Sequence, residues 1–315
     1  MTIDDLVDAL KNKNRRALAR LITLVENDDR QTEIALDKIY HLTGKGYRLG
    51  ITGPPGAGKS TLTNSLTKLL RKQGKTVGII AVDPTSPFTG GALLGDRVRM
   101  SDIGASEGIF IRSMATRGSL GGLNKKTNDV ADLLDAFGYD IIIIETVGVG
   151  QSELDIVKTS DTVMVVLVPE SGDTIQAMKA GLMEIGDIFV VNKSDRPGSE
   201  NAVNSIKSML MLRDSSSNLW TPAIIKSVAN ENVGIDLLIS EIENHKRYMV
   251  DANAYNMRKN KQLHTRIKEI VETKLISELW ANRIDNATND KVLFDIHTSP
   301  YKLANDIISN FKANL

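Results

Sequence analysis

The stretch Gly53-Pro54-Pro55-Gly56-Ala57-Gly58-Lys59-Ser60 constrains this chain more than any other. It follows Tyr47–Thr52, a short run of β character, and it precedes Thr61–Gln73, where Leu62, Leu66, Leu69 and Leu70 recur at helical spacing. Strand, glycine loop and helix in that order form a phosphate-binding turn. Gly53, Gly56 and Gly58 let successive backbone N–H groups point inward past Pro55 and Ala57, and the helix start at Ser60 and Thr61 adds its partial positive charge. Lys59 is expected to reach the β- and γ-phosphates, and the Ser60 hydroxyl to hold Mg²⁺. An ordinary surface turn has no use for Lys-Ser followed directly by a helix.

From about Gly46 to Ser240 apolar runs alternate with helical segments, the pattern of a parallel sheet covered on both faces. Strands are expected at Tyr47–Thr52, Thr76–Val82, Ile109–Ser113, Tyr139–Glu145, Thr162–Val168, Ile188–Asn192 and Ala223–Ser227. Ligands bind at the carboxyl ends of such strands. The fold expected is α/β, a P-loop NTPase with a mostly parallel central sheet flanked by helices and helical extensions at both ends. Residues 1–43 read as the N-terminal extension, with Leu6, Val7, Leu10, Leu18, Leu21, Ile22, Ile34, Leu36 and Ile39 as its apolar positions. Residues 44–240 read as the nucleotide domain. Residues 241–315 read as a C-terminal arm whose Leu263, Ile267, Ile270, Val271, Leu275, Ile276 and Leu279 form one apolar face, which needs a cover and points to a dimer.

Bulk properties narrow the setting. The 315 residues carry 39 Lys+Arg and 39 Asp+Glu, a formal net charge of zero, so no general attraction to nucleic acid or anionic membrane is expected. No cysteine is present, which removes disulfides and thiolate metal sites and suits a reducing compartment. The acidic start at Met1–Asp5 lacks the layout of a signal peptide, and the longest apolar runs are the length of buried strands. A cytoplasmic protein is expected.

The fourth strand, Ile141–Ile144, ends in Glu145, followed by Thr146-Val147-Gly148. An acid there is expected to hold Mg²⁺ through water while the Gly148 N–H faces the γ-phosphate. Many GTPases have Asp at this place, and the longer Glu still reaches a water ligand. The sixth strand ends in Asn192-Lys193-Ser194-Asp195. A carboxylate at Asp195 accepts two hydrogen bonds from guanine N1–H and the amino group, whereas adenine would leave it unpaired. Lys193 would lie along the purine face, and Asn192 would tie this loop to the phosphate loop. Ser227-Val228-Ala229 could offer an N–H to the guanine oxygen. Asp83, at the end of the second strand, is placed to bind Mg²⁺; Asp96 begins a helix, where pairing with the helix N-terminus is a competing role. The four histidines, His41, His245, His264 and His297, are scattered and form no site.

These motifs, with Asp83-Pro84 through Gly90-Gly91-Ala92 to Gly95-Asp96-Arg97-Val98-Arg99-Met100 and Glu145-Thr146-Val147-Gly148-Val149-Gly150-Gln151-Ser152-Glu153, resemble the methylmalonyl-CoA mutase-associated GTPases, the MeaB/ArgK family. The resemblance runs over nearly the whole chain. It implies a Mg²⁺-dependent GTPase that turns GTP into GDP and phosphate and acts as a chaperone of an adenosylcobalamin-dependent acyl-CoA mutase, gating cofactor loading and protecting or reactivating the enzyme. It further implies a homodimer made by the C-terminal arms, Mg²⁺ and catalytic roles for Asp83 and Asp96, and a further switch loop at Asp173–Lys179. Pro169-Glu170-Ser171-Gly172-Asp173 departs from the family's Pro-Gly-x-Gly-Asp. Two other functions fit a phosphate loop: a nucleotide-dependent kinase of a lysine/arginine/ornithine transport system, and a GTPase that inserts metal into other enzymes.

Overall fold

Side chains alternate across a strand, so the run Ile141–Ile144 sends Ile142 and Ile144 to one face of the sheet and Ile141 and Ile143 to the other. All four are buried, and both faces must therefore be covered. The computed structural model describes residues 2–83, 106–115, 126–146, 152–171, 180–212, 220–284 and 299–313. In chain order its helices and strands are α1 (Ile3–Lys11), α2 (Arg15–Glu26), α3 (Gln31–Ile39), β1 (Tyr47–Thr52), α4 (Lys59–Lys72), β2 (Val77–Asp83), β3 (Ile109–Ala115), α5 (Lys126–Phe137), β4 (Ile141–Glu145), α6 (Ser152–Asp155) and β5 (Thr162–Leu167). Then follow α7 (Ala180–Ile185), β6 (Ile188–Asn192), α8 (Ser199–Leu212), β7 (Ala223–Ser227), α9 (Ile235–Asp251), α10 (Ala254–Ile284) and α11 (Pro300–Ala313).

The strands form one sheet in the order β3-β2-β4-β1-β5-β6-β7, and every neighbouring pair is parallel. The strand that feeds the glycine loop thus lies centrally, between β4 and β5. On one face Ile80, Val82, Ile142 and Ile144 pack with Leu10 of α1, Leu18, Leu21 and Ile22 of α2, Ile39 of α3 and Leu134 of α5. On the other, Leu49, Ile51, Ile79, Ile143, Met164 and Val166 pack with Leu62 and Leu66 of α4 and Leu238 and Ile242 of α9. A third cluster joins Val163, Val165, Leu167, Phe189 and Val191 to Val203 and Ile206 of α8. Each fully buried Leu or Ile of these layers contributes about 1.5–3 kcal/mol relative to exposure.

Strands β1, β6 and β7 have the bounds the sequence predicts, and the others shift by one or two residues. β2 is shifted by one residue, running Val77–Asp83, so Asp83 is its last residue. β4 begins at Ile141 because Gly138, at φ 95°, turns the chain just before it. Helix α3 buries Ala35 and Ile39, spaced by four, and leaves Ile34 exposed. After Ile39 the turn tightens into the 3₁₀ segment Tyr40–Leu42.

The chain separates into two compact units, residues 1–256 and 257–315. In the second, Leu263, Ile267, Val271, Leu275 and Ile276 of α10 are exposed, a stripe of apolar side chains on a helix of 31 residues. No helix of the described residues is long and apolar enough to cross a membrane.

Charge is buried at the amino end of β1. Arg48 Nη2 donates to Asp132 Oδ1 at 2.6 Å and lies 3.8 Å from Asp135, while Asp161 Oδ2 accepts from the Arg48 N–H at 2.9 Å. Burial alone would depress the guanidinium, but Asp132, with Asp161 and Asp135, holds its pKa above the ordinary value. Asp135 also accepts the N–H groups of Gly44, Lys45 and Gly46, fixing the entry to β1. Removing one partner of such a set strands the others in the interior. Arg48→Met is expected to lower the unfolding free energy by about 3–5 kcal/mol, read by urea denaturation; a loss below about 1 kcal/mol would show the carboxylates to be solvated.

Candidate functional site

Close packing forces the shape of the loop between β1 and α4. Gly53 has φ 134°, and a Cβ there would sit 2.1 Å from the carbonyl oxygen of Val166 in β5. Gly58 has φ 87°, and a Cβ there would sit 2.3 Å from Asn192 Nδ2. Only glycine satisfies both the left-handed backbone and the missing volume at these positions. Pro55 and Gly56 are exposed at the tip, and Ala57 is buried. Helix α4 starts at Lys59 with no side chain capping it, so its first-turn amides face the loop. Thr61 is exposed in that first turn. Lys59 is buried, and its Nζ donates to the carbonyls of Gly53 (2.8 Å) and Pro54 (3.0 Å), which holds the ammonium over the loop.

The register of β1 and β4 pairs Ile51 with Glu145, so the end of β4 stands beside the start of the loop. Glu145 is 4% exposed. Its Oε1 accepts from Ser60 Oγ at 2.5 Å and its Oε2 from Thr63 Oγ1 at 2.9 Å. Thr146 N–H donates to the Ile51 carbonyl at 3.0 Å, and its hydroxyl lies 3.0 Å from Thr52 Oγ1, which pins the two strand ends together. Ser60 and Glu145 offer one neutral and one anionic oxygen, hard donors of the kind Mg²⁺ takes. They are few enough to leave room for phosphate and water as further ligands. The residues present therefore fit the ion. Among the described residues no group of three or more His, Asp or Glu side chains could hold a metal by itself.

Across the loop, Asn192 ends β6, paired in register with Ser227 at the end of β7. Its buried carboxamide donates from Nδ2 to the Ala57 carbonyl at 2.8 Å and accepts at Oδ1 from the Ala229 N–H (3.1 Å) and Ser227 Oγ (3.2 Å). One side chain thus joins the phosphate loop to Ser227-Val228-Ala229. Lys193 takes a left-handed backbone, φ 56°, and reaches Gly56 O with its Nζ at 2.8 Å. Ser194 N–H donates to the Ser227 carbonyl at 3.0 Å, and Asp195 projects into solvent beside it. Arg196 pairs with Glu170 at 2.7 Å, and the hydrogen bond from Arg196 holds the Glu170 carboxyl below the usual carboxylate range.

The structure therefore brings Gly53–Ser60, Glu145, Asn192, Lys193 and Ser227–Ala229 to one edge of the sheet, next to Asp195. Asp83 closes β2 on the far side of β4 from the loop strand. Asp96 and Gly148 lie outside the described residues. Thr63 was missed, although it stands three residues after Ser60 and a helix sets such positions on one face. Also missed was Ser65, whose hydroxyl donates to the Ala229 carbonyl at 2.7 Å. Apolar neighbours mark helix α4 as core-facing and hide its hydroxyls.

The sequence profile described as "Methylmalonyl Co-A mutase-associated GTPase MeaB" matches residues 18–284. A protein of Pyrococcus abyssi, named as a GTPase, is 53% identical over 271 residues, 85% of this chain and 84% of that one. GTPase ArgK of Escherichia coli is 35% identical over 288 residues, 89% of this chain and 87% of that one. A crystal structure titled as an LAO/AO transport system kinase superposes with a TM-score of 0.74 at 27% identity, covering 99% of this chain and 98% of that one.

Loss of the bridging carboxamide should be felt in the fold as well as the site. Asn192→Ala would leave the Ala57 carbonyl and the Ala229 N–H without this partner, and about 1–3 kcal/mol of stability is expected to go, measured by chemical denaturation. An unchanged midpoint would mean that water replaces the carboxamide.

Proposed function

Because this chain belongs to the MeaB family of methylmalonyl-CoA mutase-associated GTPases, we propose that it couples Mg²⁺-dependent hydrolysis of GTP to the handling of an adenosylcobalamin-dependent acyl-CoA mutase in the cytoplasm. GTP hydrolysis itself follows from the family and from its named relatives. The observation that carries the rest is the convergence of a cation, a hydroxyl–carboxylate pair and a guanine-type loop on one sheet edge, tied by Asn192.

In this reading the loop amides and Lys59 take the β- and γ-phosphates, and Lys59 exchanges its carbonyl partners for phosphate oxygens. Ser60 would hold Mg²⁺ directly and Glu145 through water, and Asp83 and Asp96 are assigned to the ion as further carboxylates. Bound there, Mg²⁺ would supply neutralisation of the charge on the phosphate oxygens. The Gly148 N–H would donate to the γ-phosphate. Asp195 selects guanine and Lys193 lies along the purine, while the N–H groups of Val228 and Ala229 are engaged by the Val233 carbonyl and Asn192 Oδ1. Water adds to the γ-phosphorus, the β–γ bridge oxygen leaves with the GDP, and catalysis is positioning plus charge stabilisation.

The family's description, mutase-associated, supports the mutase as client; in this reading the nucleotide state governs cofactor loading and protection. The exposed stripe on α10 supports a homodimer built by the arm, residues 241–315. Light scattering is expected to give twice the 34.5 kDa chain mass; a monomer at micromolar concentration would remove the dimer.

Turnover tests the chemistry. Lys59→Ala is expected to lower kcat for GTP by about a hundredfold or more. Asp195→Ala is expected to weaken GDP binding by about ten- to a hundredfold, the worth of a charged hydrogen bond, and to erase preference over ADP. Labelled γ-phosphate should appear as inorganic phosphate; its appearance on a protein acceptor would point to the transport-kinase function. A gel-filtration shift of methylmalonyl-CoA mutase with this protein, changing between GDP and a GTP analogue, is the expected sign of the client. No complex in either state would contradict it.

A further inference from the structure

We propose that Thr63 is a positioning residue for the Mg²⁺ site, holding one oxygen of Glu145 so that the other is presented to the cation. This rests on the Mg²⁺ role of Ser60 and Glu145 proposed above. A glutamate at the end of β4 has one more rotatable bond than an aspartate. On the longer arm the carboxylate can occupy several places, and Mg²⁺ tolerates little departure from octahedral geometry.

The structure shows a two-point clamp that removes this freedom. Ser60 and Thr63 stand three apart on α4, so their hydroxyls project from one face of the helix toward the end of β4. Thr63 Oγ1 donates to Glu145 Oε2 at 2.9 Å, and Ser60 Oγ to Oε1 at 2.5 Å. Thr63 is fully buried. A buried threonine in a helix commonly returns its hydroxyl to the carbonyl four residues back, and here it is spent on the carboxylate instead. The division of labour follows. Oε2 is anchored within the protein, while Oε1 shares its space with Ser60, the other residue proposed to hold the ion. Partners of this kind, one step removed from a metal, govern affinity through orientation and basicity of the ligand.

A merely structural hydroxyl would satisfy the buried carboxylate without affecting the metal. The two roles separate in the Mg²⁺ dependence of nucleotide release. The full chain is loaded with N-methylanthraniloyl GDP, and its dissociation is followed by fluorescence from EDTA through a series of free Mg²⁺ concentrations. In Thr63→Val, which keeps the shape and removes the hydroxyl, the rate in EDTA is expected to stay within about twofold of the parent, while the Mg²⁺ concentration for half-maximal slowing rises about tenfold or more. Thr63→Ser is expected to return that midpoint to within about threefold of the parent. Thr63→Ala, smaller at the same place, is read in the same way should the valine not fold.

A valine or alanine variant with the parent's midpoint overturns the inference, whatever its melting temperature, and leaves the Mg²⁺ site standing. A parent whose nucleotide release is indifferent to Mg²⁺ overturns both together.

Discussion

The Asn192 carboxamide is the contact on which the whole carboxyl edge of the sheet depends. Its donor end holds the Ala57 carbonyl in the phosphate loop, and its acceptor end gathers the Ala229 N–H and Ser227 hydroxyl. Three loops from distant parts of the chain are thereby set against one another by one buried side chain that bonds through both its nitrogen and its oxygen. A buried amide left half-used would be costly, so the loops hold Asn192 as firmly as it holds them. The absence of a Cβ at Gly58 is part of the same contact, since the carboxamide occupies that volume.

Beneath the edge, the parallel sheet converts registry into chemistry. Because Ile51 pairs with both Glu145 and Met164, the glycine loop springs from between β4 and β5 at a fixed height. Val166 backs the loop at Gly53, and Glu145 meets the first turn of α4 at Ser60 and Thr63. At the opposite end of β1, Arg48 and its carboxylates fix the strand's entry. A strand clamped at both ends cannot slide, and a slide of one residue would exchange its faces.

Much of this was legible in the sequence because it is local. Strand, glycine loop and helix are contiguous, and the runs Ile141–Ile144 and Ile188–Val191 are β-branched or apolar throughout. Ser227–Ala229 could be singled out because it closes a strand on the ligand edge. What was hidden is non-local. Arg48, Asp132 and Asp161 lie in β1, in α5 and just before β5, and no spacing rule connects them. Thr63 looks like an indifferent helix position until β4 is laid beside it. Ile34 fits an apolar pattern but misses the buried face, because tertiary packing selected Ala35 and Ile39.

The central claim is that these loops form one guanine-nucleotide site, and calorimetric titration of the unaltered protein with GDP and with ADP, both in Mg²⁺, tests it most directly. GDP is expected to saturate at one equivalent per chain, with ADP at least about a hundredfold weaker, since adenine leaves the Asp195 carboxylate unpaired. Equal affinity for the two nucleotides, or no heat with either, would contradict the account.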